Sequence, residues 1–429
     1  MKRFFSVVSV SLLAVVALST VAICVFLQKG RWGEDVRGDA LFCPGIDFTL
    51  RVNEAQCLLE GVDPFDVWSE DVQKPPYFAY YPEKDLSTTG FRHPINAYPP
   101  WEYPLMMPLT TIPRQVAWLV FFVEMFLCGA LLFYLAYRKG RVLSGDIWGG
   151  LLVASIPLLV LSYPLFANIS VGNYSLHIMA ALALAIVCMN RGADVLAGVF
   201  WALAMIKPQM SLLFAVPLLL RGKWRTCFTA GFLCVLAGIP AVLLCGKSFV
   251  ALCREAPAAT AHYFLGCGTY PYLFCGRLPV EMEIGIGLAV GLVVCLWMTW
   301  RVRAERDWWF LAMPAIACSA CWSYANPYVH ALEWFFLVVL VLELIRVPRS
   351  KFLWTVFLLS VLPVSRVFRC FYGVAVIYGM GVKPLAELSV FAQRVLESLN
   401  TTFTLALVVV FSLWKQRDLK TRKEYDDWK

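Results

Sequence analysis

The sequence predicts an all-α polytopic membrane protein with about twelve transmembrane helices (roughly ten to thirteen) and one large extracytoplasmic loop near its start. Two observations carry that reading. Hydrophobic residues make up 60% of the 429-residue chain and the mean hydropathy is +0.68, whereas soluble domains hold about 45–50% apolar residues. Apolar runs also repeatedly reach the ~20 residues that a helix needs to cross a bilayer. Ten-residue alternation of the strand kind is absent, which argues against a closed barrel, the other structure that satisfies the backbone in lipid.

The elements follow in chain order. Met1-Lys2-Arg3 leads into an apolar stretch, Phe4 to Phe26. That core is too long for a cleaved signal and no small-x-small site follows, so residues 1–27 are expected to form an uncleaved first helix. A lipoprotein signal fails because Ile23 precedes Cys24. Residues 28–115 form the loop, with thirteen Asp/Glu against eight Lys/Arg, a net charge of −5 in a chain whose total is +8. Residues 116–414 are the multi-helix body. Residues 415–429 are a basic tail, expected to be solvated and cytoplasmic.

Short basic clusters punctuate the body: Arg138 to Arg141, Arg191, Arg221 to Arg225, Arg301 to Arg306 and Arg346 to Lys351. Placing all of them inside the cell fits spans near 4–27, 116–137, 147–166, 171–189, 194–206, 208–220, 226–245, 283–300, 308–324, 328–346, 352–372 and 402–414. The acidic loop, the turn Asn168 to Ser175, the loop Gly246 to Glu283 and the segment Tyr372 to Asn400 then lie outside, and both termini are cytoplasmic. The host membrane is expected to be a bacterial plasma (inner) membrane, since no ER retention signal is visible.

Two stretches break the pattern. Residues 194–220 lie between basic clusters and are interrupted at Lys207-Pro208, leaving halves of ~20 Å at 1.5 Å per residue, short of the ~30 Å hydrocarbon core. Residues 99–113 carry five prolines and read as a kinked or re-entrant helix ahead of the second span. Of the fifteen cysteines, most sit in apolar runs as small hydrophobes. Cys43, Cys57, Cys267 and Cys275 fall in outer loops, where an oxidising compartment permits pairing.

Several residues stand out as candidates for chemistry. Asp47 begins a segment, Phe48 to Leu59, whose pattern suits an amphipathic helix on the membrane surface. It reads either as a catalytic carboxylate or as a helix cap. Glu54 lies on the same segment. Tyr98-Pro99-Pro100-Trp101-Glu102-Tyr103-Pro104 reads either as an interfacial aromatic anchor or as the lip of a binding groove, with Tyr98 and Glu102 facing it. Lys207, an ionisable group inside a membrane hairpin, either binds a phosphate or snorkels to the interface. Asn173 and His330 sit at outer ends of spans, and a lone His there is often only a structural hydrogen-bonder. Asn168, Asn173 and Asn400 lie in N-x-Ser/Thr sequons. No metal-ligand cluster, Walker loop, dinucleotide fingerprint or serine elbow occurs, and the basic clusters are topogenic, so no nucleic-acid partner is expected.

Taken in order, these elements resemble glycosyltransferase family 87, the polyprenol-phosphate-mannose-dependent mannosyltransferases of the C-type membrane glycosyltransferase superfamily. The resemblance rests on Asp47-Phe48 with Gly61 and Asp63-Pro64-Phe65, on Tyr98-Pro99-Pro100, on Gly172, on Ala197-Gly198 to Lys207-Pro208 with the basic turn Arg221 to Arg225, and on Pro327 to His330. The chain departs from the family pattern in a longer acidic loop, Trp68 to Asn96, in lacking the tyrosine usual in the amphipathic helix and the Gln beside Gly172, and in the His spacing. The resemblance implies a C-type glycosyltransferase fold and a metal-independent, inverting transfer of a hexose, mannose above all, needing no cofactor. The implied partners are a polyprenyl-phosphate-sugar donor in the outer leaflet and a glycan or glycolipid acceptor. Asp47 would be the general base and Lys207 the phosphate ligand, with Glu54, Tyr98, Glu102, Asn173 and His330 lining the groove. The competing readings are a transporter or flippase for lipid-linked saccharides, for which paired broken helices are the mark, and a structural membrane subunit with the loop as its docking domain.

Overall fold

A computed structural model describes residues 46–61, 63–64, 98–161, 165, 168–169, 172–255, 280–319, 329–361 and 404–419, and no strand occurs among them. The expected first span, most of the acidic loop, residues 256–279, 320–328 and 372–400, and the sequon at Asn400 lie outside the described residues.

Helix α1 (Ile46–Leu59) precedes α2 (Tyr103–Thr110) and α3 (Arg114–Ser144). The prolines set the boundary between the last two. Pro108 sits in the last turn of α2, and Pro113, in extended conformation, starts α3. Helix α3 then turns back through Gly145 into α4 (Ile147–Val160), whose first turn is capped by Asp146 accepting from Gly149 N–H at 2.7 Å. Next come α5 (Ser175–Asn190) and α6 (Asp194–Ala204).

The interrupted hairpin exists. After α6 the chain bends at Met205 to Lys207 and returns through α7 (Pro208–Ser211), a 3-10 turn and α8 (Ala215–Leu220). The legs lie side by side: Trp201 Nε1 donates to the Ser211 carbonyl at 3.1 Å, and Ser211 Oγ to that of Ala204 at 2.9 Å. Lys223 pairs with Asp194 at 3.0 Å and closes the open end, so the two ends of the segment lie together. Gly198 lets α6 touch the following helix, α9 (Trp224–Cys245), because an added Cβ would lie 2.7 Å from the Thr226 carbonyl.

Beyond α9 lie α10 (residues 249–255), α11 (Val280–Arg301), α12 (Trp308–Cys318), α13 (Glu333–Arg346), α14 (Lys351–Val361) and α15 (residues 404–419). Only Gln115–Ser144 and Trp224–Cys245 among the described helices are both long and apolar enough to cross a membrane; seven shorter apolar helices accompany them. Among the described residues, helix length and composition thus support two of the twelve expected spans. The two long helices show large apolar side chains on their outer faces, Phe126, Leu127, Phe228, Phe232 and Leu243, where lipid rather than water solvates them. Helix α13 is instead buried all round from Glu333 to Leu344, as an unbroken apolar helix in a bundle core should be.

The basic clusters meet at one end of the bundle. Lys139 pairs with Asp307, which also accepts from Asn190 Nδ2 at 3.1 Å. The expected solvated tail begins differently: α15 runs on to residue 419, and Lys415 is buried, paired with Glu343 at 2.7 Å and Glu305 at 3.2 Å. A buried ammonium needs such partners, and two carboxylates supply them.

Helix α1 also departs from expectation. Arg51 and Glu54, the polar positions of the expected amphipathic helix, are buried together with Phe48, Val52, Ala55 and Leu58, while Leu59 is exposed. Arg51 and Glu54 form an ion pair at 2.7 Å, and that mutual neutralisation lets a charged face go inside. Cys57 is a buried free thiol.

Candidate active site

Four separate stretches of chain converge: the first turn of α1, the corner 98–102, the turn ahead of α5, and the bend at Lys207. Gly172 makes the convergence possible. It has φ +68°, a conformation L side chains rarely adopt, and an added Cβ would fall 2.7 Å from Phe48 Cβ and 2.8 Å from the Trp118 ring. Phe48 is itself fixed against Trp118 and Phe121, with centroids 5.3 and 5.0 Å away. The turn therefore lies directly on α1, and the next residue, Asn173, reaches Asp47.

Asn173 is the hub. Its Nδ2 donates to Asp47 Oδ2 at 2.6 Å, and its Oδ1 accepts from Lys207 Nζ at 3.2 Å. Ser175 N–H and Ser175 Oγ donate to the same oxygen at 3.1 and 2.7 Å, and the Asn173 N–H is held by the Asn168 carbonyl at 3.1 Å. These partners fix the amide orientation: turned over, its oxygen would face a carboxylate and its NH₂ an ammonium. Asn168 and Asn173 are both buried, so neither sequon is open to a glycan, and Ser175 serves the turn instead.

A second layer packs on the first. The Tyr98 ring lies under the Arg51 guanidinium at 4.4 Å and near Lys207 Nζ at 5.7 Å, within cation–π range. Glu102 accepts from the Tyr174 hydroxyl at 2.8 Å. Burial pushes the Glu102 carboxyl up to about 7, although Arg51 and the Tyr174 hydroxyl draw it down. Burial likewise raises Glu54 well above the ordinary carboxylate range, with Glu102 and Asp47 adding to the effect and Arg51 opposing it. Three carboxyls crowd two cations here, and one proton held among the carboxyls brings the site to charge balance.

Of the residues singled out in the sequence, Asp47, Glu54, Tyr98, Glu102, Asn173 and Lys207 share this site. His330 is bonded to the buried Glu333 at 2.9 Å. Lys207 is fully buried and does not snorkel. Arg51, Tyr174 and Ser175 belong to the site without having been singled out. The spacing of Arg51, one turn after Asp47 and three residues before Glu54, is the clue the sequence offered for the first.

Chemically, the arrangement joins a carboxylate that can take a proton to an ammonium that can bind an anion, one amide apart. Searches of curated proteins and of solved structures found no match. The model of the family described as glycosyltransferase family 87 matches residues 96–323, just over half of the chain. That span contains Tyr98, Glu102, Asn173 and Lys207, while Asp47, Glu54 and His330 lie outside it. The chain belongs to glycosyltransferase family 87, a family of membrane glycosyltransferases.

Proposed function

We propose that this protein moves a hexose, mannose by its resemblance, from a polyprenyl-phosphate sugar to a glycan or glycolipid acceptor at the extracytoplasmic face, with inversion. The observation that carries the reading is the Asn173 amide joining Asp47 to Lys207. An inverting transfer needs a base on the acceptor side and positive charge at the leaving group on the other.

The acceptor oxygen attacks the anomeric carbon from the face opposite the phosphate. Its proton passes to Asp47 Oδ1, while Asn173 holds Oδ2. The bond from the anomeric carbon to the phosphate oxygen breaks, and its electron pair leaves with polyprenyl phosphate, whose charge Lys207 meets as a point cation. Lys207 is buried beside the Tyr98 ring, so donor binding includes lifting the corner 98–101. Trp101 pins that corner through its bond to the Met205 carbonyl (2.9 Å) and its stack on Phe249 (6.0 Å).

The test is sugar transfer by the purified protein from synthetic polyprenyl-phosphate-mannose to a panel of acceptors, with EDTA throughout. Wild type transfers, and Asp47→Asn loses at least about a hundredfold in rate while still binding donor. Undiminished transfer by Asp47→Asn would remove Asp47 as the base.

A further inference from the structure

Two ionisable residues next to this site take no part in it. Glu124 lies within the long apolar helix α3, and His177 lies one turn into α5. Ionisable groups inside membrane spans are costly and are retained chiefly for function. Glu124 Oε2 is 3.7 Å from His177 Nε2, beyond hydrogen-bond reach. Both ring nitrogens of His177 are buried with no hydrogen-bond partner among the described residues. The ring is wedged between Phe121 and Tyr174, with centroids 4.9 and 5.8 Å away, so it is not placed to seek another partner.

His177 and Glu124 line a groove of ≈ 320 Å³ between α2, α3, α5 and α6, within the ~300–1,000 Å³ range of small-ligand sites. Leu109, Leu131, Leu184, Phe200 and Leu203 make most of its wall apolar. Tyr174 and Ile206 also line it, each one residue from the hub side chains Asn173 and Lys207. From Tyr174 to Leu184 along α5 the groove runs ~15 Å.

We propose that this groove binds a lipid alcohol, with the chain against the apolar wall and the hydroxyl between His177 and Glu124. A hydroxyl donates one hydrogen bond and accepts another. Here the carboxylate accepts and an imidazole N–H donates, and an oxygen ~2.8 Å from each spans the gap between them. A plain hydrocarbon chain would leave the ring nitrogens buried and unpaired, so the polar pair selects for the hydroxyl. The inference concerns binding and holds whichever residue is the base in sugar transfer.

The test uses the full chain in nanodiscs and a long-chain alcohol carrying a diazirine and an alkyne, beside the matched probe with hydrogen in place of the hydroxyl. The alcohol labels the α3 and α5 segments that line the groove, and excess unlabelled alcohol competes. The hydrocarbon probe labels about tenfold less, as loss of the paired hydrogen bonds requires. His177→Phe and the near-isosteric Glu124→Gln reduce alcohol labelling toward the hydrocarbon level. Equal labelling by both probes, labelling unchanged in both variants, or labelling confined to other surfaces would each overturn the proposal.

Discussion

Asn173→Asp separates two roles that Asn173 could play. An aspartate keeps an acceptor for Ser175 N–H, Ser175 Oγ and Lys207, so the turn ahead of α5 survives. What changes is the contact with Asp47. A donor at 2.6 Å becomes a second carboxylate, and two such charges ~2.6 Å apart repel by about 6 kcal/mol at an effective dielectric of ~20. The pair escapes that repulsion by sharing a proton, which removes the base. Asn173→Ala instead deletes a hydrogen bond to a charged group worth about 1.5–3 kcal/mol, or roughly 10- to 150-fold in rate. The assay is single-turnover transfer from polyprenyl-phosphate-mannose, with size-exclusion and melting profiles to show that each variant folds. The expected order is wild type, then Ala, then an inactive Asp. A well-folded Asn173→Asp enzyme with wild-type rate would show that Asn173 serves only the turn, and the coupling of Asp47 to Lys207 would be abandoned.

Three further outcomes are expected. Glu102 binds its proton up to about pH 7 when folded, against an ordinary 4.5, so between those values the folded chain holds more protons than the unfolded one. Stability therefore falls as pH rises through that window, by about 3 kcal/mol in all. Glu102→Gln keeps an acceptor for Tyr174 and removes the slope; parallel melting curves for variant and wild type from pH 5 to 8 would refute this. Gly172→Ala places a methyl 2.7 Å from Phe48 Cβ at a positive φ, costing about 1–3 kcal/mol in backbone strain alone, so both melting temperature and transfer should drop. Lys207→Ala should weaken binding of a fluorescent polyprenyl phosphate by roughly 10- to 150-fold, and unchanged affinity would move the phosphate site to another cation.

What the sequence made legible follows from which forces act locally. The long helices α3 and α9 are set by apolar run length, and the bend at Lys207 by a proline that cannot continue a helix. Asp47, Tyr98, Glu102, Asn173 and Lys207 could be named singly because each is costly or unusual where it stands, though nothing local says that Asn173 meets Asp47 across 126 residues. The pairing depends on Gly172, whose value lies in a side chain it lacks. Misreadings arose where a distant partner cancels a local cost. Arg51 and Glu54 look like the polar positions of an amphipathic helix until each neutralises the other, and Lys415 looks like a solvated tail until Glu343 and Glu305 close on it. Asn173-Tyr174-Ser175 looks like a glycan acceptor until its own hydrogen bonds bury it. His177 and Glu124 pass unnoticed because isolated polar residues in apolar helices carry no pattern; only the groove, with two buried ring nitrogens that find no hydrogen-bond partner among the described residues, gives them a meaning. The same physics decides all of these positions. A charge or polar group inside a membrane protein must find a partner, and where the fold supplies none, a ligand is the remaining candidate.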